Sequence, residues 1–256
     1  MPTPGLCSIT FRNLSPHEII AACVDSGLKA IEWGGDVHCP HGKTAVAKLL
    51  RKACEDVGIA TPSYGSYFRM NPECSDPDFR HVLDSALALG AKTIRVWAGD
   101  KPSEEMDADY RARLVDEIRL IAAMAESAGC SIGLEYHRFT ATDSNASALQ
   151  LLKQVDHAAV KTYWQPREET SVEQRIDGLQ MILPKLCHLH VFHWIGSPVV
   201  RRPLAEATEE WRRYVQVVEA AGIEDPCAFL EFVRDDSLDS LKEDASCLLQ
   251  ILGGSM

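Results

Sequence analysis

The stretch ESAGCSIGLEY, residues 126–136, contains the pattern that decides the fold. A helical pattern ends at Gly129, and a short apolar run follows that finishes with a glutamate. Glycine fits the left-handed residue that closes a helix, because it has no Cβ atom to clash with the backbone. The apolar run has the composition of a β-strand. The stretch therefore predicts a helix, a turn and a strand in that order.

The same pattern occurs four more times, in VDSGLKAIEW, EDVGIATPSY, LALGAKTIRVW and EAAGIEDPCAFLEF. The glycines are spaced by roughly 30 to 40 residues, which is the length of one strand–helix unit, apart from one gap about three units long. That gap contains two further strand-like runs, HAAVKTYW (157–164) and LPKLCHLHVFHW (183–194). GLCSITF (5–11) precedes the first repeat and brings the predicted strands to eight.

Helical patterns fill the intervals between these strands. Ser15 and Pro16 have the signature of a helix start, with a capping hydroxyl followed by proline in the first turn. Further along, an amphipathic segment places one apolar face at Leu114, Ile118 and Ile121. Eight alternating strands and helices predict a single-domain (β/α)8 TIM barrel over residues 1–256. The rival, an open doubly wound sheet, lacks the expected G-x-G-x-x-G motif after its first strand.

Composition narrows the class of protein. The chain has 256 residues, 46% of them hydrophobic, and a net charge of -11, which argues against a nucleic-acid partner. Its nine cysteines are odd in number and form no C-x-x-C pair, as expected of reduced thiols. The beginning of the sequence resembles no leader, and no apolar run reaches the length of a membrane span. We therefore expect a soluble, cytoplasmic protein without a membrane partner.

Polar side chains end four successive predicted strands, the fifth to the eighth. They are Glu135, Gln165, His190 and Glu231. In a closed barrel the carboxyl ends of the strands meet at one rim, so we expect these side chains to converge. Their oxygen and nitrogen donors suit one divalent metal ion, Mn²⁺, Mg²⁺, Co²⁺ or Zn²⁺. The two glutamates also suit proton transfer to and from carbon. In the competing interpretation, Glu135 and Glu231 form ordinary ion pairs with Arg138 and Arg234.

The segments GLKAIEWGGDVHCPHG (27–42) and FLEF (229–232) resemble the xylose-isomerase-like barrels, in particular the sugar-phosphate isomerase/epimerase group. The resemblance implies that Glu135, Gln165, His190 and Glu231 hold the metal and that the two glutamates are the catalytic acid/base pair. It implies an isomerase or epimerase that moves a proton through a metal-stabilised enediolate of a sugar, sugar phosphate or polyol ketone. The alternatives are a dehydratase of the inosose type and a non-catalytic sugar-binding barrel. A more remote endonuclease relationship conflicts with the acidic net charge.

The same resemblance assigns the substrate-binding residues. His38 matches a pocket histidine after the second strand, and Arg202, with Arg201 as second candidate, matches an arginine of the loop after the seventh. Trp97 and His137 complete the predicted pocket. The expected partners are a small carbohydrate substrate and further copies of the chain in a dimer or tetramer.

The sequence also departs from the family pattern at the sixth strand. Gln165 replaces the family's aspartate ligand, and Glu168 stands where a histidine is usual. Gln165 still offers an amide oxygen, but the site carries one negative charge fewer, which weakens its attraction for a metal ion.

Overall fold

A closed barrel of eight parallel strands forms the centre of the computed structural model, which describes residues 1–72, 78–167 and 170–253. Around the barrel each of the first seven strands neighbours the next one along the chain, and the last barrel strand pairs with both the seventh and the first. The barrel strands are β1 (Thr3–Cys7), β2 (Ala30–Gly34), β3 (Ala60–Met70), β4 (Thr93–Ala98), β5 (Ser131–Leu134), β6 (Val160–Trp164), β7 (Leu186–Val191) and β10 (Cys227–Leu230).

Eight helices alternate with these strands, and the predicted (β/α)8 barrel is confirmed. They are α1 (Pro16–Asp25), α2 (Thr44–Glu55), α3 (Phe79–Leu89), α4 (Ala108–Ser127), α5 (Asn145–Val155), α6 (Val172–Ile182), α7 (Thr208–Ala220) and α8 (Leu238–Leu252). A two-stranded antiparallel hairpin between β7 and α7 was not predicted. It consists of β8 (His193–Ile195) and β9 (Val200–Arg202).

The first strand differs from its prediction. It begins at Thr3 and ends at Cys7, and residues 8–11, which were predicted as strand, form a 3-10 turn. Ser8 explains the change, because its hydroxyl accepts the backbone N–H of Gly34 at 2.9 Å. The Ser8 side chain thus satisfies the Gly34 N–H directly after the end of β1, so this donor does not require the strand to continue.

Local signals in the sequence are confirmed at the helix ends. The five glycines of the repeat all have positive φ angles, between 63° and 82°. At the start of α1, Ser15 and Glu18 form a reciprocal capping box, which satisfies two backbone donors of the first turn. The predicted apolar face of α4 packs inward, since Leu114, Ile118 and Ile121 are at most 3% exposed.

The interior of the barrel carries charged side chains near its carboxyl-terminal rim. Five of them are at most 4% exposed: Glu32, Arg95, Glu135, His190 and Glu231. Burying a charge is costly unless it is paired or binds a ligand. The eight described cysteines are free and buried. Within the described ranges, none of the helices is both long enough and apolar enough to cross a membrane.

Candidate functional site

The predicted metal ligands lie side by side at the carboxyl-terminal rim of the barrel. The backbone N–H of Glu135 donates to Val96 at 3.1 Å, and that of Glu231 donates to Val191 at 3.0 Å. Each bond extends the sheet by one residue beyond β5 or β10. Gln165 directly follows β6, and His190 lies in β7. The barrel therefore presents the four side chains at similar height.

The imidazole of His190 is the centre of this group. Its Nδ1 atom lies 2.8 Å from Oε1 of Gln165. The same nitrogen lies 3.6 Å from Oε1 of Glu135 and 3.6 Å from Oε2 of Glu231. The amide of Gln165 is oriented by its own Nε2, which donates to the carbonyl of Tyr136 at 2.7 Å. Three oxygens thus surround one imidazole nitrogen, and the amide presents its oxygen to the site.

Arg95 of β4 joins two buried carboxylates. Its Nε donates to Oε1 of Glu32 at 2.8 Å, and its Nη1 donates to Oε2 of Glu135. The indole Nε1 of Trp97 donates to the same Oε2 of Glu135. Two donors therefore hold Glu135 in place. Glu231 forms no side-chain hydrogen bond among the residues that the structure describes and has only the longer approach to His190.

Glu32 is the anchor of a polar network beneath the rim. Its Oε2 accepts hydrogen bonds from the hydroxyls of Ser63 at 2.6 Å and Tyr163 at 2.8 Å. Gly65 of β3 leaves room for this network, because a Cβ atom there would lie 2.8 Å from Nη2 of Arg95 and 2.9 Å from Oε1 of Glu32. The packed network restrains the guanidinium that contacts Glu135.

Opposed forces set the ionisation of these groups. Burial by itself raises the pKa of Glu135, but the Arg95 guanidinium and His190 outweigh it and lower that pKa. The pKa of Glu32 is likewise lowered despite burial, mainly by Arg95. The pKa of Glu231 is raised, because burial and the Glu135 charge exceed the attraction of His190. Burial opposes the charge of His190, yet the surrounding carboxylates, Glu231 foremost, raise its pKa.

A cavity of about 380 Å³ opens beside Gln165 at this rim. Three arginines and one histidine line it, and none of its described lining residues is acidic. Four aromatic side chains supply apolar walls. The basic and aromatic lining residues are Tyr136, His137, Arg138, Arg167, Phe192, Trp194, Arg201 and Phe232. The lining therefore suits an anionic ligand with a flat apolar face, even though the chain as a whole is acidic.

Two of the predicted pocket residues lie together. The rings of His137 and Trp97 stack at a centroid distance of 4.4 Å and an interplanar angle of 25°. Only His137 is among the residues that line the described cavity. Its Nδ1 lies 2.6 Å from the carbonyl oxygen of Arg138 and donates to it, so that Nε2 is the nitrogen left for a ligand. Trp97 instead acts on the site by its bond to Glu135.

Other predicted residues lie elsewhere. His38 is 6% exposed, is absent from the cavity lining and has its Nδ1 3.0 Å from the Ser8 hydroxyl. Both arginines have a carboxylate partner, Arg202 in Glu206 and Arg201 in Asp236, but only Arg201 lines the cavity. The second candidate is therefore the better placed of the two arginines.

The competing ion-pair interpretation receives no support from Arg234, which pairs with Glu243 at 3.1 Å. Glu135 pairs with Arg95, and both side chains are buried. Glu168 lies outside the described residues.

Residues that the sequence analysis missed complete the site. Neither Arg95 nor Glu32 was singled out as a site residue. The signal for both was a charged residue inside an otherwise apolar strand, in TIRVW and AIEW. Cys7, fully buried at the end of β1, also reaches the site, and its Sγ lies 3.7 Å from Oε1 of Glu32.

Comparison with known proteins gives four likenesses. The family profile described as xylose isomerase-like TIM barrel matches residues 20–251. A curated protein of Bacillus anthracis, 3-dehydroshikimate dehydratase, is 25% identical over a gapped alignment of 280 positions, which covers 95% of this chain and 95% of that protein. The solved structure of a probable 3-DHS dehydratase from Bacillus anthracis has a TM-score of 0.80 at 21% identity, with 98% of this chain and 99% of that one covered. L-ribulose 3-epimerase has a TM-score of 0.74 at 17% identity, with 99% and 95% covered. The two structural likenesses show the fold alone.

Proposed function

Because the chain belongs to the xylose isomerase-like TIM barrel family, we propose that it is a metal-dependent enzyme that removes a proton from a carbon next to a carbonyl group. We propose further that it completes the reaction as a dehydratase. The family comprises isomerases, epimerases and dehydratases, so an enzymatic role follows from membership, and the choice among these reactions needs a further argument.

The donor set fits one divalent cation. Donors bound to the same ion at about 2.0–2.3 Å are separated by roughly 3–3.6 Å. The oxygens of Gln165, Glu135 and Glu231 lie 2.8, 3.6 and 3.6 Å from Nδ1 of His190, which is close to this range. Three oxygens and one imidazole suit Mn²⁺, Mg²⁺, Co²⁺ or Zn²⁺. These four residues would hold the ion.

The different surroundings of Glu135 and Glu231 are our reason for choosing elimination over epimerisation. Glu135 accepts hydrogen bonds from Arg95 and Trp97, which tie its oxygen in place and reduce its basicity. Glu231 has no such donors among the described residues. Epimerisation with two bases needs two carboxyl groups that can exchange protons on opposite faces of the substrate. Elimination needs one mobile base. The arrangement therefore favours elimination, with Glu231 as the base.

The proposed elimination balances without a further reactant. A carboxylate oxygen of Glu231 takes the proton from the carbon beside the carbonyl. The electron pair of that C–H bond forms a C=C bond, and the neighbouring C–O bond breaks with its electron pair on oxygen. The departing hydroxyl takes the proton from Glu231 and leaves as water, so that the carboxylate is restored. A bound divalent cation would supply Lewis-acid polarisation of the carbonyl group.

The cavity supports a substrate class. A carboxylate suits its arginine-rich lining, and a six-membered ring suits its aromatic walls. The relative named 3-dehydroshikimate dehydratase points to such a molecule, since 3-dehydroshikimate is a hydroxylated ring ketone with a carboxylate. Loss of water from it leads to an aromatic ring. We therefore propose 3-dehydroshikimate, or a ring ketone of the same class, as substrate.

A ketose epimerase is the second candidate. One observation favours it: Glu135 and Glu231 each place an oxygen 3.6 Å from the same nitrogen of His190, so two carboxyl groups are available near one point, as a two-base reaction requires. The likeness to L-ribulose 3-epimerase is consistent with this reading.

The experiment follows both reactions with the metal-loaded full chain. Formation of the aromatic product from 3-dehydroshikimate is measured by ultraviolet absorption, and exchange of ketose protons in D₂O is measured by NMR. We expect formation of the aromatic product and no exchange of ketose protons. Glu231→Gln should abolish turnover, and Glu135→Gln should fold and lose turnover as well. Glu224→Gln, an exposed control, should leave it unchanged. Ketose exchange without dehydration would favour the epimerase, and a purified protein with neither metal nor activity would support the sugar-binding barrel.

A further inference from the structure

Cys7 brings sulfur into the wall of the candidate site. It is the last residue of β1, its side chain is fully buried, and its thiol is free. The oxygen and nitrogen set of Glu135, Gln165, His190 and Glu231 leaves this thiol without a role. The function proposed above therefore does not explain why the thiol is there.

Three donor atoms of different chemistry meet at this wall. The Sγ atom of Cys7, a ring nitrogen of His190 and a carboxylate oxygen of Glu231 all lie within 4.8 Å of one another, and all three residues are buried. Sulfur, imidazole and carboxylate are the ligands that zinc and its chemical relatives use in proteins.

A second observation indicates that a ligand is missing from this wall. Nε2 of His190 is buried and has no hydrogen-bond partner among the described residues. It lies 3.5 Å from Oε1 of Glu32, but the geometry is not that of a hydrogen bond. Buried polar atoms normally have a partner, and an exception calls for a water molecule or an ion. Nε2 of His190 is therefore a buried nitrogen that a bound ligand could satisfy.

We propose that Cys7, His190 and Glu231 form a second coordination position, which takes thiophilic divalent cations such as Zn²⁺, Co²⁺ and Cd²⁺. Bonds of about 2.3 Å to sulfur and 2.0–2.2 Å to nitrogen and oxygen require the ligand atoms to move together by at most about 1 Å. The thiol releases its proton to solvent as the sulfur–metal bond forms. Mg²⁺, which prefers oxygen, has no reason to use this position.

Ions at the two positions compete, because both positions use the carboxylate of Glu231. An ion bound by Cys7 occupies the carboxylate that takes the substrate proton in the proposed function, on which this consequence rests. Thiophilic ions should therefore inhibit the enzyme that is loaded with Mn²⁺ or Mg²⁺. The binding of these ions to Cys7 does not depend on the reaction.

The binding is tested by titrating the full, metal-stripped chain with Co²⁺ and recording its absorption. A cobalt–thiolate bond gives a charge-transfer band in the near ultraviolet, which oxygen and nitrogen ligands do not give. We expect this band in the wild type and its loss in Cys7→Ser. Cys130→Ser is the matched control and should keep the band, since Cys130 is a buried thiol directly before β5 that donates a hydrogen bond to the Ala91 carbonyl at 3.4 Å.

Absence of the band in the wild type, or its persistence in Cys7→Ser, would overturn the proposal while leaving the proposed function untouched. The inhibitory consequence is measured separately, as the loss of Zn²⁺ inhibition in Cys7→Ser loaded with Mn²⁺. If the band appears and depends on Cys7 but the chain turns over no ketone, the coordination position stands and the proposed function fails.

Discussion

Arg95 donates a charge-assisted hydrogen bond to Glu135 inside the barrel, where the two side chains are only 2% and 3% exposed. The same guanidinium binds Glu32, whose side chain is 1% exposed. One cation thus compensates two buried carboxylates on different strands. Removing one partner of such a group leaves uncompensated buried charge, which is far more costly than breaking an exposed pair.

Arg95→Met should destabilise the fold by about 3–5 kcal/mol, because Glu32 and Glu135 lose their shared cation. The measurement is the free energy of unfolding in urea. Arg51→Met is the matched control, because Arg51 pairs with Glu55 on the surface of α2 at 2.7 Å. It should cost less than about 1 kcal/mol. Equal effects of the two substitutions would contradict the assigned role of Arg95.

Gln165→Leu should weaken Mn²⁺ binding by roughly tenfold or more, since the chain loses a neutral oxygen donor that the Tyr136 carbonyl orients. Isothermal titration calorimetry of the metal-stripped protein measures the change. Gln180→Leu, an exposed substitution on α6, is expected to leave the affinity as it was. If the affinity of Gln165→Leu equals that of the wild type, Gln165 is not a ligand.

Arg201→Ala should weaken the binding of a hydroxybenzoate anion by roughly tenfold to a hundredfold, the usual worth of a charged hydrogen bond. Arg201 lines the cavity, with its guanidinium 5.0 Å from the Phe232 ring. Arg202→Ala is the neighbouring control and should change binding little, because Arg202 does not line the described cavity. Tryptophan fluorescence can report the titration through Trp194 in the same cavity. The reverse order of effects would restore the family-based assignment of Arg202.

The buried carboxyl group of Asp244 should make the stability of the fold depend on pH. Burial raises the pKa of Asp244 to about 6, although its side chain accepts the backbone N–H of Leu204 at 2.8 Å. The folded chain therefore binds this proton more tightly than the unfolded chain, in which the pKa is about 3.9. Stability should fall as pH rises from about 4 to 6, and the loss is complete above pH 6.

Asp244→Asn should remove this contribution. Compared with the wild type, the variant should gain about 2–3 kcal/mol of unfolding free energy between pH 4 and pH 7. Urea denaturation at several pH values measures the difference. Asp239→Asn, exposed on the same helix, serves as control and should keep the wild-type slope. Parallel curves for wild type and Asp244→Asn would show that the proton is not taken up more tightly on folding.

Much of the site could be predicted because a closed parallel barrel has only one carboxyl-terminal rim. Glu135, Gln165, His190 and Glu231 follow or end successive strands in the sequence, so a correct strand assignment was enough to expect them together. Their assignment as metal ligands and catalytic residues stays a prediction.

The choice between Arg201 and Arg202 could not be made in this way. Both lie in β9, which belongs to a hairpin that the repeat pattern did not predict. Neighbouring residues of a strand face opposite sides. Only the position of the hairpin over the rim decides which arginine reaches the cavity.

The sequence by itself determined the architecture, since helix caps, glycine turns and apolar periodicity act between residues close along the chain. The tertiary structure alone decided that Arg95 ties Glu135 while Glu231 stays free of side-chain donors in the described chain, and that Cys7 faces His190. These contacts join strands far apart in sequence, and they depend on the register in which the barrel closes. Register is a collective property of all eight strands, so no local segment encodes it.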